Sequence, residues 1–416
     1  MTKSKKPTSQ MKKPTPKTTT KSKSTKSTTK SKTSKSTKST TTNLQVSSRE
    51  SVWAGPESVE EDGGITFSLL SRFLSCRERF RLLVVEGLKV QEGFNHRLEY
   101  GNMWHLCEEC HANNDDWKLK LLWYCTDLCK QHPLAQEEID KWYNVCKVQF
   151  PIYLEYWKNN QDVKNCVNLL PEQTFAVPYK LPSGRTVILR GKWDSVDLLG
   201  KGKTAGIWLF EHKTKGEVKE DQLKRQLTFD LQTMLYLVAL AEYQKISDNG
   251  AKSLKWSDGH HKIQGVRYNV IRRPLSGGKG TIRQHQPTKN NPQGESKLEY
   301  YQRLSDIILE TPQEYFFRWN VQVRPDDITK FRRQCLDPLL EQLCDWWDWV
   351  IDKPRSMLER AGRTQIAPHW RHPYGVFNPI DEGMVGDLDH YLDSGNEVGL
   401  QRVSNLFPEL TNSEKE

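Results

Sequence analysis

Two apolar segments joined by a glycine-rich connector place the strongest constraint on how this 416-residue chain can fold. Residues 186–199 are rich in β-branched and apolar side chains, and residues 207–210 form a second, shorter apolar run. The connector, residues 200–206, reads Gly-Lys-Gly-Lys-Thr-Ala-Gly and consists largely of turn-forming residues. The three parts together predict an antiparallel hairpin.

Charged side chains gather at one end of this predicted hairpin. Because side chains alternate along a strand, Glu211 and Lys213 point to the same face while His212 points away. The partner strand can bring Asp194 beside them. Two carboxylates with open water positions suit Mg²⁺ or Mn²⁺, and an adjacent lysine could orient or activate an attacking water. An ordinary amphipathic hairpin with a charged, solvated face explains the same residues, and on these two strands alone it is the preferred interpretation.

A helix is predicted after the hairpin, at about residues 224–243. Its apolar side chains recur at helical spacing, and Gln232 and Tyr236 lie four residues apart on one adjacent face. Their polar ends could reach the charged end of the hairpin or could face solvent. The residues of the apolar stripe are Leu227, Leu231, Met234 and Val238.

Several short motifs occur in one order along residues 65–275. Gly191-Lys-Trp-Asp194 precedes an apolar strand that ends in Glu211-His-Lys213, and Asp230-Leu-Gln-xxx-Tyr236 follows. Upstream lie Gly101-Asn-Met-Trp-His105 and a segment, residues 70–81, reading Leu-Ser-Arg-Phe-Leu-Ser-Cys-Arg-Glu-Arg-Phe-Arg. In this order the motifs resemble the RecB-like exonuclease branch of the PD-(D/E)xK nuclease superfamily, including its phage-type and CRISPR-adaptation members. Trp193 stands where the family name has proline.

The resemblance implies an α/β fold with a restriction-endonuclease-like core. A small mixed sheet of four or five strands would be flanked by helices, with a helical insertion at about residues 102–165 and a helical C-terminal region. Residues 175–187 are predicted to form a second hairpin with Pro182-Ser-Gly184 as its turn, residues 265–271 are a further predicted strand, and residues 298–362 are predicted to be helical. The aromatic side chains of residues 102–160 are interpreted mainly as core.

The resemblance also implies roles for individual residues. Asp194 and Glu211 would bind one or two Mg²⁺ or Mn²⁺ ions with the assistance of His105, and Lys213 would position or activate the attacking water. Gln232 and Tyr236 would orient Lys213, the metal ligands or the DNA backbone. Glu172 could supply a further acidic group, whereas Asp197 is a weaker candidate because it faces the other side of its strand.

Basic residues near the predicted site could follow a DNA backbone, although a solvated charged turn explains them equally well. They are Lys215, Arg225 and Arg272.

The expected activity is metal-dependent hydrolysis of DNA, and the resemblance favours an exonuclease that acts on DNA ends in recombination or repair. A structure-selective or nicking endonuclease, a non-catalytic DNA-binding or assembly protein, and an RNA-directed enzyme are the alternatives. A helicase or a single-strand annealing protein would be a suitable partner. Any helicase motor would be another chain, because the residues around Gly202-Lys-Thr204 lack the spacing of a phosphate-binding loop.

Charge divides the chain into unequal parts. Residues 1–49 contain thirteen lysines and one arginine and no acidic residue. Because the whole chain carries +10 and this tail carries +14, the remainder is close to −4. We expect a disordered tail at residues 1–49, a nuclease domain at 50–365 and an irregular extension at 366–416. The tail could hold nucleic acid through its phosphates or could be a solubilising extension.

Nine scattered cysteines do not form the pattern of a disulfide framework, which favours a reducing cytoplasm in a bacterial or phage-encoded protein. No apolar run is long enough to cross a membrane, and the N-terminus lacks a secretory core. Cys76 matches the first ligand of the iron–sulfur cluster in some relatives, but Cys335 and Cys344 alone follow near the C-terminus, which argues against that cluster. Four cysteines at helical spacings could form a Zn²⁺ site or be buried thiols: Cys107, Cys110, Cys125 and Cys129.

Overall fold

The computed structural model describes residues 51–351 and a short C-terminal part of the chain. The first range has gaps at residues 76, 91–92, 203–204, 250–260, 276–280 and 290, and the second comprises residues 399–403, 405–407 and 410. The predicted basic tail lies outside the described residues, as does most of the predicted C-terminal extension. The domain boundaries given above therefore stay predictions.

A five-stranded mixed sheet forms the centre of the protein. Its strands run in the order β2, β3, β4, β5, β6, and only the β4–β5 pair is parallel. Both predicted hairpins are present: β2 and β3 flank the Pro182–Gly184 turn, and β3 and β4 flank the glycine-rich connector. The predicted small mixed sheet is thus confirmed. The strands are β2 (Cys166–Lys180), β3 (Thr186–Leu199), β4 (Gly206–Lys215), β5 (Ile263–Arg272) and β6 (Phe316–Gln322), while β1 (Leu88–Val90) and β7 (Leu400–Arg402) pair separately.

Helices cover both faces of this sheet. The region predicted as a helical insertion contains three helices, the first of which begins at His96. The helices are α1 (Phe67–Ser75), α2 (Arg77–Phe80), α3 (His96–Asn113), α4 (Trp117–Gln131), α5 (Gln136–Asn159), α6 (Glu220–Leu227), α7 (Leu231–Asn249), α8 (Lys297–Glu310), α9 (Pro325–Phe331) and α10 (Asp337–Ile351). Among these described helices, none has both the length and the apolarity needed to cross a bilayer.

The prediction that residues 298–362 are helical is wrong at β6, which is the edge strand beside β5. The segment Phe316-Phe-Arg-Trp-Asn-Val-Gln322 alternates, and Phe317, Trp319 and Val321 pack on one core. Period two with aromatic and β-branched residues favours a strand. Prolines at 312 and 325 bound the segment and start the short helical elements on either side.

Each face of the sheet has its own hydrophobic core. The first core joins α1, α7 and α10 to the sheet and includes Leu70, Trp193 and Leu237. The second joins α3, α4, α5 and α8 and includes Trp104 and Trp142, so many of the aromatic residues in this region are core residues, as predicted. The polar ends of β3 and β4 lie between these two cores. The helical insertion therefore forms one wall of the space around them.

Gly265 in β5 has a backbone conformation that we expect only glycine to tolerate. Its φ angle is +147°, and an added Cβ would lie 2.1 Å from the carbonyl oxygen of Val321 on β6. We expect Gly265→Ala to lower the free energy of unfolding by roughly 1–3 kcal/mol, measured by urea denaturation. Gly184→Ala is the matched control, since its φ is +93° but nothing lies within 4 Å of an added Cβ. Equal losses in the two variants would contradict a clash with β6.

Candidate active site

The predicted acidic residues meet where β3 and β4 lie side by side. Ser195 pairs with Phe210 in the register of the two strands, which places Asp194 next to Glu211. The backbone N–H of His212 donates a hydrogen bond of 2.7 Å to Oδ2 of Asp194. This bond fixes the carboxylate of Asp194 against the neighbouring strand and leaves its Oδ1 for other contacts.

Lys213 links β4 to helix α7. Its Nζ donates hydrogen bonds to Oε2 of Glu211 at 3.0 Å and to Oε1 of Gln232 at 2.8 Å. Gln232 lies in the first turn of α7, where Oδ2 of Asp230 accepts its backbone N–H. The structure therefore brings together three of the predicted catalytic side chains and holds the ammonium of Lys213 from two sides.

Tyr236 lies one turn further along α7 and belongs to the apolar core. It is 9% exposed, and its ring packs edge-on against Phe175 with centroids 5.4 Å apart. Both rings cover Gly191, where an added Cβ would lie 2.7 Å from Phe175 Cζ and 3.0 Å from Tyr236 Cε1. Close packing thus explains the glycine of the Gly-xx-Asp motif.

Three side chains on three elements form a potential metal site. His105 of α3, Glu172 of β2 and Asp194 of β3 each offer a ligand atom, and these atoms lie within 4.8 Å of one another. Nδ1 of His105 is 3.5 Å from Oδ1 of Asp194. His105 and Asp194 were predicted ligands, and Glu172 was named as a further acidic group. Glu211 lies nearby, close enough to affect the pKa of His105.

Glu172 reaches this site through an unusual backbone conformation. Its neighbours Pro171 and Gln173 pair with Ser195 and Trp193, so Glu172 lies across from Asp194. Its φ angle is +41°, although it is not glycine. A conformation of this kind costs about 1–3 kcal/mol and is concentrated at functional sites. The strain at Glu172 therefore supports a role for its carboxylate.

Two carboxylate oxygens at this site are buried without a hydrogen-bond partner in the part of the chain that the structure describes. They are Oε1 of Glu172 and Oε1 of Glu211. A buried acceptor without a partner is costly, and such cases point to a missing water or ion. Carboxylates and one imidazole are suitable ligands for Mg²⁺ and especially Mn²⁺. The residues present therefore fit a divalent ion.

The electrostatic environment also favours a bound cation. Burial raises the pKa of Glu172 to about 9, that of Glu211 to about 7 and that of Asp194 to about 6, because charged carboxylates lose hydration here. Burial and the ammonium of Lys213 lower the pKa of His105 to about 4, so its imidazole is neutral. Burial alone would lower the pKa of Lys213, but Glu211 and Asp194 outweigh it and raise that pKa. Lys213 is therefore a cation at neutral pH.

A second lysine, which the sequence did not single out, lies beside Glu172. Nζ of Lys192 is 3.0 Å from Oε2 of Glu172 and 3.0 Å from Oε2 of Glu109. Lys192 precedes Asp194 by two residues on β3, and Glu109 follows His105 by four residues on α3. Both residues therefore belong to the immediate surroundings of the potential metal site.

A second group of polar side chains on α3, β3 and β4 adjoins the potential metal site. His212 and Glu108 are in contact there, with Nδ1 of His212 3.5 Å from Oε1 of Glu108. Asp197 accepts a hydrogen bond of 2.6 Å from the hydroxyl of Ser195. A cavity of about 160 Å³ adjoins both groups, and its lining includes Glu108, Glu172, Asp194, Asp197 and His212.

The three residues predicted to contact DNA differ in their exposure. Lys215 and Arg272 are register partners at the ends of β4 and β5. Lys215 is half-buried, whereas Arg225 is exposed on α6. The side chain of Arg272 is 11% exposed, and its guanidinium lies over the ring of Tyr315. Arg225 and Lys215 thus offer more accessible charge than Arg272.

The cysteines of the helical insertion pack as thiols. Sγ of Cys107 lies 3.7 Å from Sγ of Cys146 on α5, and both side chains are buried in the second core. Burial raises the pKa of Cys110 to about 11 and that of Cys125 to about 12, which opposes the thiolate form. The described contacts of these residues are those of core side chains. Cys76 lies outside the described residues.

Sequence comparison identifies the family. The family model of the PD-(D/E)XK nuclease superfamily matches residues 65–318, which is more than half of the chain. The matched range contains β1 to β5, part of β6 and the acidic and basic residues of the candidate active site. No curated protein sequence matches the chain. The match agrees with the mixed sheet and with the acidic pair and lysine at its centre, and the chain belongs to the PD-(D/E)XK nuclease superfamily.

Proposed function

We propose that this protein is a metal-dependent deoxyribonuclease of the RecB-like branch, an exonuclease that hydrolyses DNA from its ends in recombination or repair. The observation that supports this most strongly is the arrangement of Asp194, Glu211 and Lys213 on two adjacent strands, with one oxygen of Glu211 buried and unpaired among the described residues. The order of the motifs along the chain supports assignment to that branch.

His105, Glu172 and Asp194 would hold Mg²⁺ or Mn²⁺, with Glu211 beside them. A divalent ion would lower the pKa of water and offset negative charge on the phosphate. The ammonium of Lys213, fixed by Gln232, would position the water and stabilise the charge that develops at the scissile phosphate. Since its pKa is raised, Lys213 acts as a cation in this proposal and not as a general base.

A DNA-binding protein without catalysis is the alternative in another class. Such a protein would need surface charge but no buried acidic set. Burial raises the pKa of three carboxyl groups here, and one of them also has a strained backbone. These features cost stability, which favours a catalytic use of the site over a purely structural one.

The test compares linear DNA with covalently closed circular DNA, each with Mg²⁺, with Mn²⁺ and with a chelator. We expect linear DNA to be degraded only with metal, and we expect Lys213→Ala to lower the rate roughly 10²–10³-fold. Lys130→Ala is the matched control, because Lys130 is exposed on α4 and pairs only loosely with Asp127. Cleavage of closed circles would identify an endonuclease. Binding of DNA without cleavage under any condition would exclude the proposed activity.

A further inference from the structure

Lys192 lies between two carboxylates beside the potential metal site. Its ammonium is 3.0 Å from both Oε2 of Glu172 and Oε2 of Glu109. Glu172 keeps only 7% of its side chain exposed, and Lys192 keeps 26%. This ion pair is thus largely removed from solvent, where charged hydrogen bonds are strong and where losing one partner is costly.

Lys213 and Lys192 each contact one carboxylate oxygen of an acidic residue in the site. Lys213 binds Oε2 of Glu211, and Lys192 binds Oε2 of Glu172. In both acidic residues the other oxygen, Oε1, is buried and has no hydrogen-bond partner within the described ranges. Each lysine therefore fixes one oxygen and leaves the second available to an ion.

We propose that the ammonium of Lys192 fills the position that a second divalent ion would take, so that this centre binds a single divalent ion. Lys192 is then a positioning residue, which holds Glu172 across from Asp194 and offsets negative charge between Glu109 and Glu172. This inference rests on the proposed function, because it concerns the metal ion of that active site.

Charge and space both support one ion. Two-metal sites hold their ions roughly 3.5–4 Å apart and use carboxylates that bridge them. Here Oε2 of Glu172 already contacts an ammonium at 3.0 Å. An ion entering between Glu109 and Glu172 would have to displace Lys192 or lie against a like charge, which is unfavourable. The ammonium of Lys213 occupies the corresponding place at Glu211.

The experiment counts bound ions without depending on catalysis. Full-length protein is titrated with Mn²⁺ in the absence of DNA, and free Mn²⁺ is measured by electron paramagnetic resonance. We expect one ion per wild-type chain and two per Lys192→Gln chain. Adding Glu109→Gln to Lys192→Gln removes one carboxylate of the new position and should restore one ion. Lys180→Ala, at the exposed end of β2, should bind one ion like the wild type.

Two ions in the wild type would overturn the inference, as would one ion of unchanged affinity in Lys192→Gln. Circular dichroism and thermal melting establish that each variant is folded. If Lys192→Gln does not fold, Lys192→Ala and the wild-type count serve in its place, with the same expected numbers. DNA cleavage by the wild type is measured separately. A chain that binds one ion yet cleaves no DNA would refute the proposed function while supporting the assignment of Lys192.

Discussion

Replacing Asp194 with asparagine is expected to reduce the rate of DNA cleavage by about 10³-fold or more, since metal ions supply several kcal/mol of charge stabilisation. Asp194 is the residue that joins the parts of the site. Its Oδ2 accepts the N–H of His212, and its Oδ1 faces the imidazole of His105. An asparagine keeps an oxygen for the first contact but loses the negative charge that an ion requires. Single-turnover cleavage and Mn²⁺ titration measure the two effects.

Asp197→Asn provides the matched control for this prediction. Asp197 lies three residues further along the same strand and is buried, but it accepts a hydrogen bond from Ser195 and is not one of the three residues of the potential metal site. We expect Asp197→Asn to retain cleavage within a few-fold of the wild type and to bind Mn²⁺ normally. Similar losses in both variants would mean that any change in the buried charge of β3 disrupts the site, and the specific assignment of Asp194 would fail.

Local sequence patterns predicted the central part of this fold because each hairpin carries its own turn signal. The β2–β3 and β3–β4 hairpins follow from apolar runs that flank Pro182–Gly184 and Gly200–Gly206. The strand β6 was missed because its neighbours in sequence are helical and its partner β5 is distant along the chain. A strand that is stabilised by a partner about fifty residues away gives only a weak signal in a short stretch of sequence.

The pairing of Glu172 with Asp194 in the β2–β3 hairpin could have been predicted from the sequence. Counting outward from the turn at Ser183 places Glu172 opposite Asp194, as the observed pairing does. Similarly, Lys192 shares a strand face with Asp194, and Glu109 follows His105 by four residues on a helix. The sequence alone therefore indicates that Glu172, Lys192 and Glu109 lie near the predicted ligands. The left-handed backbone of Glu172 and the burial of its carboxylate could not be predicted, because they depend on the packing of α3, β2 and β3.

Tyr236 shows where helical periodicity is insufficient. Its spacing from Gln232 predicted a shared polar face, but residues 233–240 of α7 are all buried. A helix that is enclosed on every side has no solvent face, so spacing alone cannot show which neighbour a residue meets. Gln232 reaches Lys213 because it lies in the first turn, at the end of the enclosed segment.

The second large effect concerns Glu211, whose removal should stabilise the metal-free protein while weakening its activity. Burial raises the pKa of this carboxyl from 4.5 to about 7, and its Oε1 has no partner among the described residues. At pH 8.5 the folded chain must therefore keep a charge in an unfavourable place. We expect Glu211→Gln to raise the free energy of unfolding of the metal-free protein by about 3 kcal/mol at this pH.

The pH dependence of this difference follows from the direction of the shift. Between pH 4.5 and about 7 the folded wild type retains a proton that the unfolded chain has lost. The protonated carboxyl of Glu211 therefore contributes stability to the folded wild type below pH 4.5, and this contribution is lost as the pH rises to about 7. The glutamine variant has no such proton, so its advantage should be small at pH 4.5, grow with pH and level off above about 7. Urea denaturation in the presence of a chelator measures it, with Glu217→Gln, an exposed residue, as control.

Mn²⁺ should reverse the order of stability of the two proteins. An ion that binds the folded state stabilises it in proportion to the logarithm of its concentration over the dissociation constant. The wild type gains this term, whereas Glu211→Gln has lost a carboxylate from the site and should gain less, together with a large loss of DNA cleavage. A glutamine variant less stable than the wild type at every pH without metal would show that Glu211 serves the fold through Lys213. If the glutamine variant is the more stable protein without metal and the wild type is the more stable with Mn²⁺, the acidic site destabilises the metal-free fold and is stabilised by its ion.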